Sequence, residues 1–402
     1  MRLCFFFEYK NIVGGVTSLL ITLIEELCKR DHPVLLVNFK DGLIANELSK
    51  LGVNPPIEDF NAFRKGELKH IFSENDVCII TSFKEVYYQL FAINPRILYF
   101  NVDGRLAQAA SYKFGMQRKS ASEKLVIELI EKKTLLLMDD TGVNDMLREF
   151  NYTIKNPIFA PIPVKVPRNN NYRNDLGNKI LRIAYVGRAV DWKITPLKKL
   201  LDDIKSFPSE VRSSIKVTIL VDNIDNLKLL LPLNDYVQNG ISISIYEKVP
   251  PTELQAFLLD KADILFAMGT AALDGAKYGI PTLLADYSKQ PFPKEYRYIW
   301  MYETKCYSLG HNLLDGTRDL SAGVSLREVV EMSFDSKFYL KEQSRLCYEY
   351  VLTKHSVGNV VNELINAAKG SAFRIKDAKE YILYYSWFHQ SIKKLSSLFH
   401  SV

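Results

Sequence analysis

Two cations, Arg188 and Lys193, stand five positions apart in the run Tyr185-Val186-Gly187-Arg188-Ala189-Val190-Asp191-Trp192-Lys193. The apolar residues before Gly187 read as a buried strand, so the chain leaves that strand through a glycine and carries both charges into a loop. A guanidinium can clamp two phosphate oxygens and an ammonium acts as a point charge, a combination suited to a diphosphate. A surface loop with two solvated cations is the structural alternative.

A second stretch, FAMGTAALDGAKYGIP over 266–281, has complementary chemistry. It continues the apolar strand run 264–266. Gly269 frees the backbone, Thr270 can cap a helix over 271–278, and Gly279 with Pro281 ends that helix before a strand at 282–285. Strand, glycine turn and helix start leave unpaired N–H groups at a strand's carboxyl end, an arrangement that attracts phosphate. Asp274, one turn in, is near enough to accept a hydrogen bond from a sugar hydroxyl. Gly269 and Gly279 also fit ordinary helix punctuation, and on these residues alone that alternative stays open.

Two N-terminal features have weaker signals. Gly14-Gly15 separates a continuous apolar run at 3–7 from a helical pattern at 17–30 carried by Leu19, Leu20, Leu23, Ile24 and Leu27. With a strand at 34–39 this makes a βαβ unit without the G-x-G-x-x-G dinucleotide pattern. The two glycines serve either the turn or a close approach to a ligand. Asp103-Gly104-Arg105 directly follows a strand and has the composition of a binding loop, though Asp-Gly is also common turn chemistry.

The elements that position these residues alternate throughout. Strands are predicted at 77–81, 96–102, 134–138 and 154–159, with helices at 85–91, 122–132 and 143–150. Pro-rich and then Asn-rich residues at 163–179 read as a linker closing a first domain, 1–162. Alternation restarts in a second α/β domain, 180–370. Its strands are predicted at 180–186, 215–221, 241–246, 264–266 and 282–285, and its helices at 196–204, 252–259, 271–278, 326–333 and 338–352. The tail, 371–402, is aromatic and basic and reads as a helix packing on the first domain or lying on anionic lipid.

Composition bounds the rest. A chain of 402 residues with 47% hydrophobic and 24% charged residues is globular and long enough for two or three domains. A net charge of +6 suits an anionic ligand or an anionic membrane surface and is too small to argue for nucleic acid. Five scattered cysteines read as reduced core residues of a cytoplasmic protein. The N-terminal apolar run is too short for a signal peptide, and no stretch approaches the about 20 apolar residues of a membrane span. The six histidines form no ligand-like cluster.

The loop GRAVDWK, the stretch FAMGTAALDGAKYGIP and the N-terminal Gly-Gly turn together resemble the retaining GT-B glycosyltransferases of the group 1, or family 4, type. That family carries a G-R-L-x-x-x-K loop followed by E-G-F-G-L-x-x-L-E-A-x-A-x-G-x-P, in the order and spacing seen here. The resemblance is strongest over 180–290 and mostly topological over 1–160. It implies an α/β chain of two Rossmann-like domains facing each other across a cleft. The first would be an acceptor domain and the second a donor domain for a nucleotide sugar, a UDP-sugar ahead of a GDP-sugar, with no metal or other cofactor. Arg188 and Lys193 match the pair that holds the donor diphosphate, with Gly187 beside them. Gly269 and Thr270 match the loop whose amides meet the phosphates. Asp274 matches the acid that binds the ribose, and Gly14 and Gly15 match the N-domain turn facing the same phosphates. Asp103 stands roughly where the family carries a polar residue reaching the donor sugar, and is assigned with Arg188 and Lys193 to catalysis.

The resemblance implies transfer of a hexosyl or N-acetylhexosaminyl group to a glycan or lipid-linked saccharide. The setting would be surface polysaccharide synthesis, in the cytoplasm or at the inner face of the plasma membrane. Two departures stand against it. The family's first acid aligns with Phe266 and the second is aspartate, while Val221-Asp222-Asn223 replaces a G-x-G. A non-catalytic GT-B subunit that binds a nucleotide or a partner glycosyltransferase is the alternative reading.

Overall fold

The computed structural model describes residues 1–68, 70–82, 94–102, 104–106, 119–167, 179–316, 318–336 and 338–377. Asp103, the helix predicted at 85–91, most of the linker and the tail beyond 377 lie outside the described residues. The chain forms two compact units, Met1–Pro163 with the segment from Val357, and Val164–Ser356.

The first unit runs β1 (Leu3–Phe6), α1 (Gly15–Lys29), β2 (Val34–Asn38), α2 (Leu43–Lys50), β3 (Ile57–Asp59), α3 (Phe60–Arg64) and β4 (Val77–Ile80). It continues through β5 (Arg96–Asn101), α4 (Lys119–Glu131), β6 (Leu135–Leu137), α5 (Thr141–Phe150) and β7 (Ile158–Phe159). Its sheet has the order β3-β2-β1-β4-β5-β6-β7, with all pairs parallel. Every residue of β1 is buried, as expected of a strand covered on both faces. Cys4 and Phe6 enter a core with Phe60, Phe63 and Phe72, whereas Leu3 and Phe5 enter the opposite one with Leu20, Leu23 and Leu27 of α1.

The second unit runs β8 (Leu181–Val186), α6 (Asp191–Lys205), α7 (Ser209–Ser213), β9 (Ile215–Val221), α8 (Ile224–Leu230), α9 (Leu233–Gln238) and β10 (Ser242–Glu247). Then follow α10 (Leu254–Lys261), β11 (Ile264–Ala267), α11 (Thr270–Ala276), β12 (Thr282–Leu284), β13 (Ile299–Trp300), α12 (Leu326–Asp335) and α13 (Tyr339–Tyr350). Its order is β10-β9-β8-β11-β12-β13, parallel except for β13 against β12. Both sheets thus place their fourth strand beside the first, the doubly wound order of a Rossmann-like domain.

The predicted limits of the second domain differ from the structure. Residues up to 370 were expected to belong to that domain, yet 357–370 form an unpredicted helix, α14 (Val357–Gly370), whose Val360, Val361, Leu364, Ala367 and Ala368 lie in the core that holds Leu3 and Phe5. Its apolar stripe has helical spacing, and that spacing carries no information about which core receives it. The chain then continues over 371–377 without helix, extended as far as 374 and turning at 375–377. There Ile97 N–H donates to the Phe373 carbonyl at 2.8 Å and the Phe373 side chain is buried.

Candidate nucleotide-binding site

In an open parallel sheet a crevice forms at the carboxyl ends of the two strands where the order reverses. In the second unit those strands are β8 and β11, and Val186 pairs with Ala267 at their ends. Gly187 and Met268 therefore leave the sheet side by side. The Arg188 loop and the Gly269 turn, far apart in sequence, share one edge.

The loop after β8 is held at three points. A Cβ on Gly187 would stand 2.6 Å from the Tyr185 hydroxyl. Its absence leaves room for that hydroxyl to donate to the Lys193 carbonyl at 2.5 Å. Burial, with the Asp222 carboxylate nearby, pushes the Tyr185 phenol up and keeps it a donor. Ala189 N–H donates to Asp222 Oδ1 at 2.7 Å. The Val190 carbonyl accepts from the amides of Lys193 and Ile194, both at 3.0 Å, which opens α6. The helix starts at Asp191 rather than at the predicted 196. Pro196 lies inside it and only removes the donor that would have met the Trp192 carbonyl. Lys193 thus stands in the first helical turn.

Arg188 is exposed and Lys193 half-buried, and among the described residues neither has a carboxylate within 4 Å. Burial and Arg188 lower the Lys193 pKa, against Asp222, which raises it. The Lys193 ammonium lies 5.1 Å from the Trp192 ring centroid, and Trp192 meets Tyr287 edge-on at 5.2 Å. Tyr287 follows β12, so aromatic side chains from the β8 and β12 loops meet beside the cations.

The Gly269 turn departs from expectation. Gly269 has φ 61° and ψ −137°, a conformation reserved for glycine, and is itself the cap residue of α11. Thr270 is the first helical residue and no side chain caps the helix. The Gly269 N–H donates to the Leu309 carbonyl at 2.8 Å, so this amide is already committed. The amides of Thr270 and Ala271 remain in the first turn without an intrahelical acceptor. The segment behind them is pinned by Asp286, which is fully buried. Its carboxylate accepts from His311 N–H at 2.8 Å, Tyr296 Oη at 3.0 Å and Arg318 Nε at 3.2 Å.

Asp274, one turn into α11, accepts from Lys277 Nζ through Oδ1 at 2.6 Å. Burial works against the Lys277 ammonium, and Asp274 with Tyr278 overcomes it, raising that pKa. Asp274 Oδ2 has no protein partner among the described residues. Phe266, aligned with the family's first acid, lies inside β11 at 0% exposure, its ring 6.2 Å from Tyr185 and 5.5 Å from Tyr298. Phe266→Glu, which would restore that acid by alignment, buries an unpaired carboxylate. It is expected to cost about 4 kcal/mol or more, seen as a lowered Tm in thermal unfolding. An unchanged Tm would put position 266 outside the core.

Gly14 and Gly15 occupy the equivalent edge of the first unit, after β1 and at the start of α1. Gly14 is extended, and a Cβ on either residue would meet nothing within 4 Å. Neither packing nor strain demands glycine there, and the missing side chains leave the first turn of α1 open to approach. The predicted site residues that are described, Asp103 not being among them, therefore form two groups, one at the strand reversal of each unit. Sequence reasoning missed Tyr185 and Asp286 as site supports, and noted Asp222 only for the glycine pattern it replaces.

No protein-family model matches the chain, and no curated protein matches it. Solved structures do. A glycosyltransferase from Rickettsia africae matches at TM-score 0.58 and 12% identity, covering 92% of this chain and 97% of its own. The lipopolysaccharide outer core galactosyltransferase WaaB, in its apo form, matches at 0.58 and 11%, covering 92% and 100%. HepE from Anabaena, in complex with UDP and glucose, matches at 0.55 and 10%, covering 92% and 99%. The fold is GT-B. In this GT-B chain the Arg188 loop and the Gly269 turn belong to the second Rossmann-like domain. No helix among the described residues is long and apolar enough to cross a membrane.

Proposed function

We propose that this chain is a glycosyltransferase that moves a sugar from a nucleoside-diphosphate sugar to a glycan or lipid-linked saccharide. One observation carries the reading. Two cations with no carboxylate partner among the described residues, one of them half-buried, stand at the strand reversal of the second unit. Holding part of a cation out of water is costly unless an anion contacts it, and a diphosphate is such an anion. As the sugar leaves, negative charge grows on that diphosphate. Arg188, Lys193 and the Thr270 and Ala271 amides would hold it in place without reorganising. Asp274 Oδ2 would accept from a ribose hydroxyl.

The bound UDP of HepE supports UDP ahead of GDP as the donor base. The same proposal includes a hexosyl or N-acetylhexosaminyl group, retention of configuration and a chemistry without metal. It also includes a role in surface polysaccharide synthesis, and a cytoplasmic place against an anionic membrane. A second reading, a non-catalytic subunit binding a nucleotide or a partner glycosyltransferase, is favoured by the buried Phe266 in place of the family's acid.

Calorimetric titration with UDP and with GDP tests the donor site. Micromolar binding of one nucleotide and not the other is expected, and binding of neither withdraws the assignment. Slow hydrolysis of the matching nucleotide sugar, followed by release of free nucleotide, separates the enzyme from the non-catalytic subunit.

A further inference from the structure

Asp222 follows β9, the strand hydrogen-bonded to β8 on the side away from β11. Its carboxylate is therefore at the same sheet edge as the cation loop. It accepts the Ala189 N–H at 2.7 Å, and Ala189 lies between Arg188 and the helix that carries Lys193. The charged groups acting on the Lys193 ammonium among the described residues are Arg188 from the loop and Asp222 from β9. The Trp192 ring is its neutral neighbour, 5.1 Å from the ammonium to the ring centroid. Burial and Arg188 both disfavour a charged Lys193, and Asp222 opposes them.

A carboxylate is an unfavourable neighbour for a phosphate, so its presence needs a reason that outweighs the repulsion. We infer that Asp222 is the positioning residue of the cation pair: it anchors the loop at Ala189 and places a negative charge at the sheet edge that carries Lys193. Because no carboxylate among the described residues touches either cation, both remain open to an incoming anion. The inference rests on the proposed donor site only for the identity of that anion.

The test uses the full chain and two variants. Asp222→Asn keeps an acceptor for Ala189 and removes the charge, while Asp222→Ala removes both. The reactivity of Lys193 towards acetic anhydride, followed by mass spectrometry between pH 7 and 11, reports its protonation without any nucleotide. In Asp222→Asn the midpoint is expected to move down, since removing an opposite charge disfavours the ammonium. UDP affinity, measured by calorimetry over the same range, falls as Lys193 loses its proton. Asp222→Asn is therefore expected to bind UDP at pH 7 no more weakly than wild type and to lose affinity at lower pH. Asp222→Ala is expected to be weaker at every pH.

A purely structural Asp222 would leave the acetylation midpoint unmoved and weaken Asp222→Asn uniformly, and either result overturns the inference. If wild type binds no UDP yet the midpoint moves, the donor reading fails and the role of Asp222 stands.

Discussion

Replacing Arg188 and Lys193 together by alanine is expected to weaken binding of the cognate nucleoside diphosphate at least 100-fold, with the fold unchanged. A hydrogen bond to a charged group contributes about 1.5–3 kcal/mol, so losing two gives at least about 3 kcal/mol, and each 1.4 kcal/mol is tenfold. Little stability is at stake. Arg188 is exposed, and Lys193 supports the loop through its backbone carbonyl and amide, which alanine retains. The single variants separate the roles. Arg188→Lys keeps a charge but loses the fork that can grip two oxygens, and should fall between wild type and Arg188→Ala. Lys193→Ala should remove most of the decline in affinity at high pH, since Arg188 does not titrate there. Calorimetry reads all four proteins, and a double variant binding like wild type would remove the diphosphate from this edge of the sheet.

The parts of this architecture visible in the sequence share one physical property. A parallel strand covered on both faces is a run of apolar residues, and Ile215–Val221 has its predicted bounds because β9 is such a run. The half-buried β3, with the sequence IED, shows no such run and was missed. So was β13, two residues that are a strand only because β12 lies beside them. Glycines were visible as turns, but their reasons were not. Gly187 is required by a hydroxyl from Tyr185, and Gly269 by its own backbone, which turns at φ 61°. The cations were legible as a pair because five residues separate them. Their supports were not, because Asp222 acts on Ala189, and Asp286 on His311 and Arg318, across long loops that leave no local pattern. The ribose candidate Asp274 was found, and its partner Lys277, a turn away on the same helix, was overlooked.

That long-range dependence makes Asp286 the residue whose loss should matter most to the second unit. Asp286→Ala is expected to destabilise it by about 3–5 kcal/mol, because removing one member of a buried pair leaves the other charge without compensation. The Arg318 side chain is 5% exposed and cannot turn to water without unpacking the segment that carries it. Tyr296, whose hydroxyl also rests on this carboxylate, is completely enclosed and would lose its acceptor. Asp286→Asn should cost less, since an amide oxygen still accepts from one of the donors. Urea unfolding gives the energies, and hydrogen exchange shows where they act. Faster exchange is expected over 282–318 and at Gly269, whose amide depends on the Leu309 carbonyl in the pinned segment. Exchange in β1 and α1 should not change, because those elements have a separate core. If stability falls and Gly269 stays protected, the Leu309 contact is held by packing of the Gly310 turn against Ala285, and Asp286 stabilises the domain without shaping the turn. If both change together, one buried carboxylate behind the glycine turn sets the conformation of that turn.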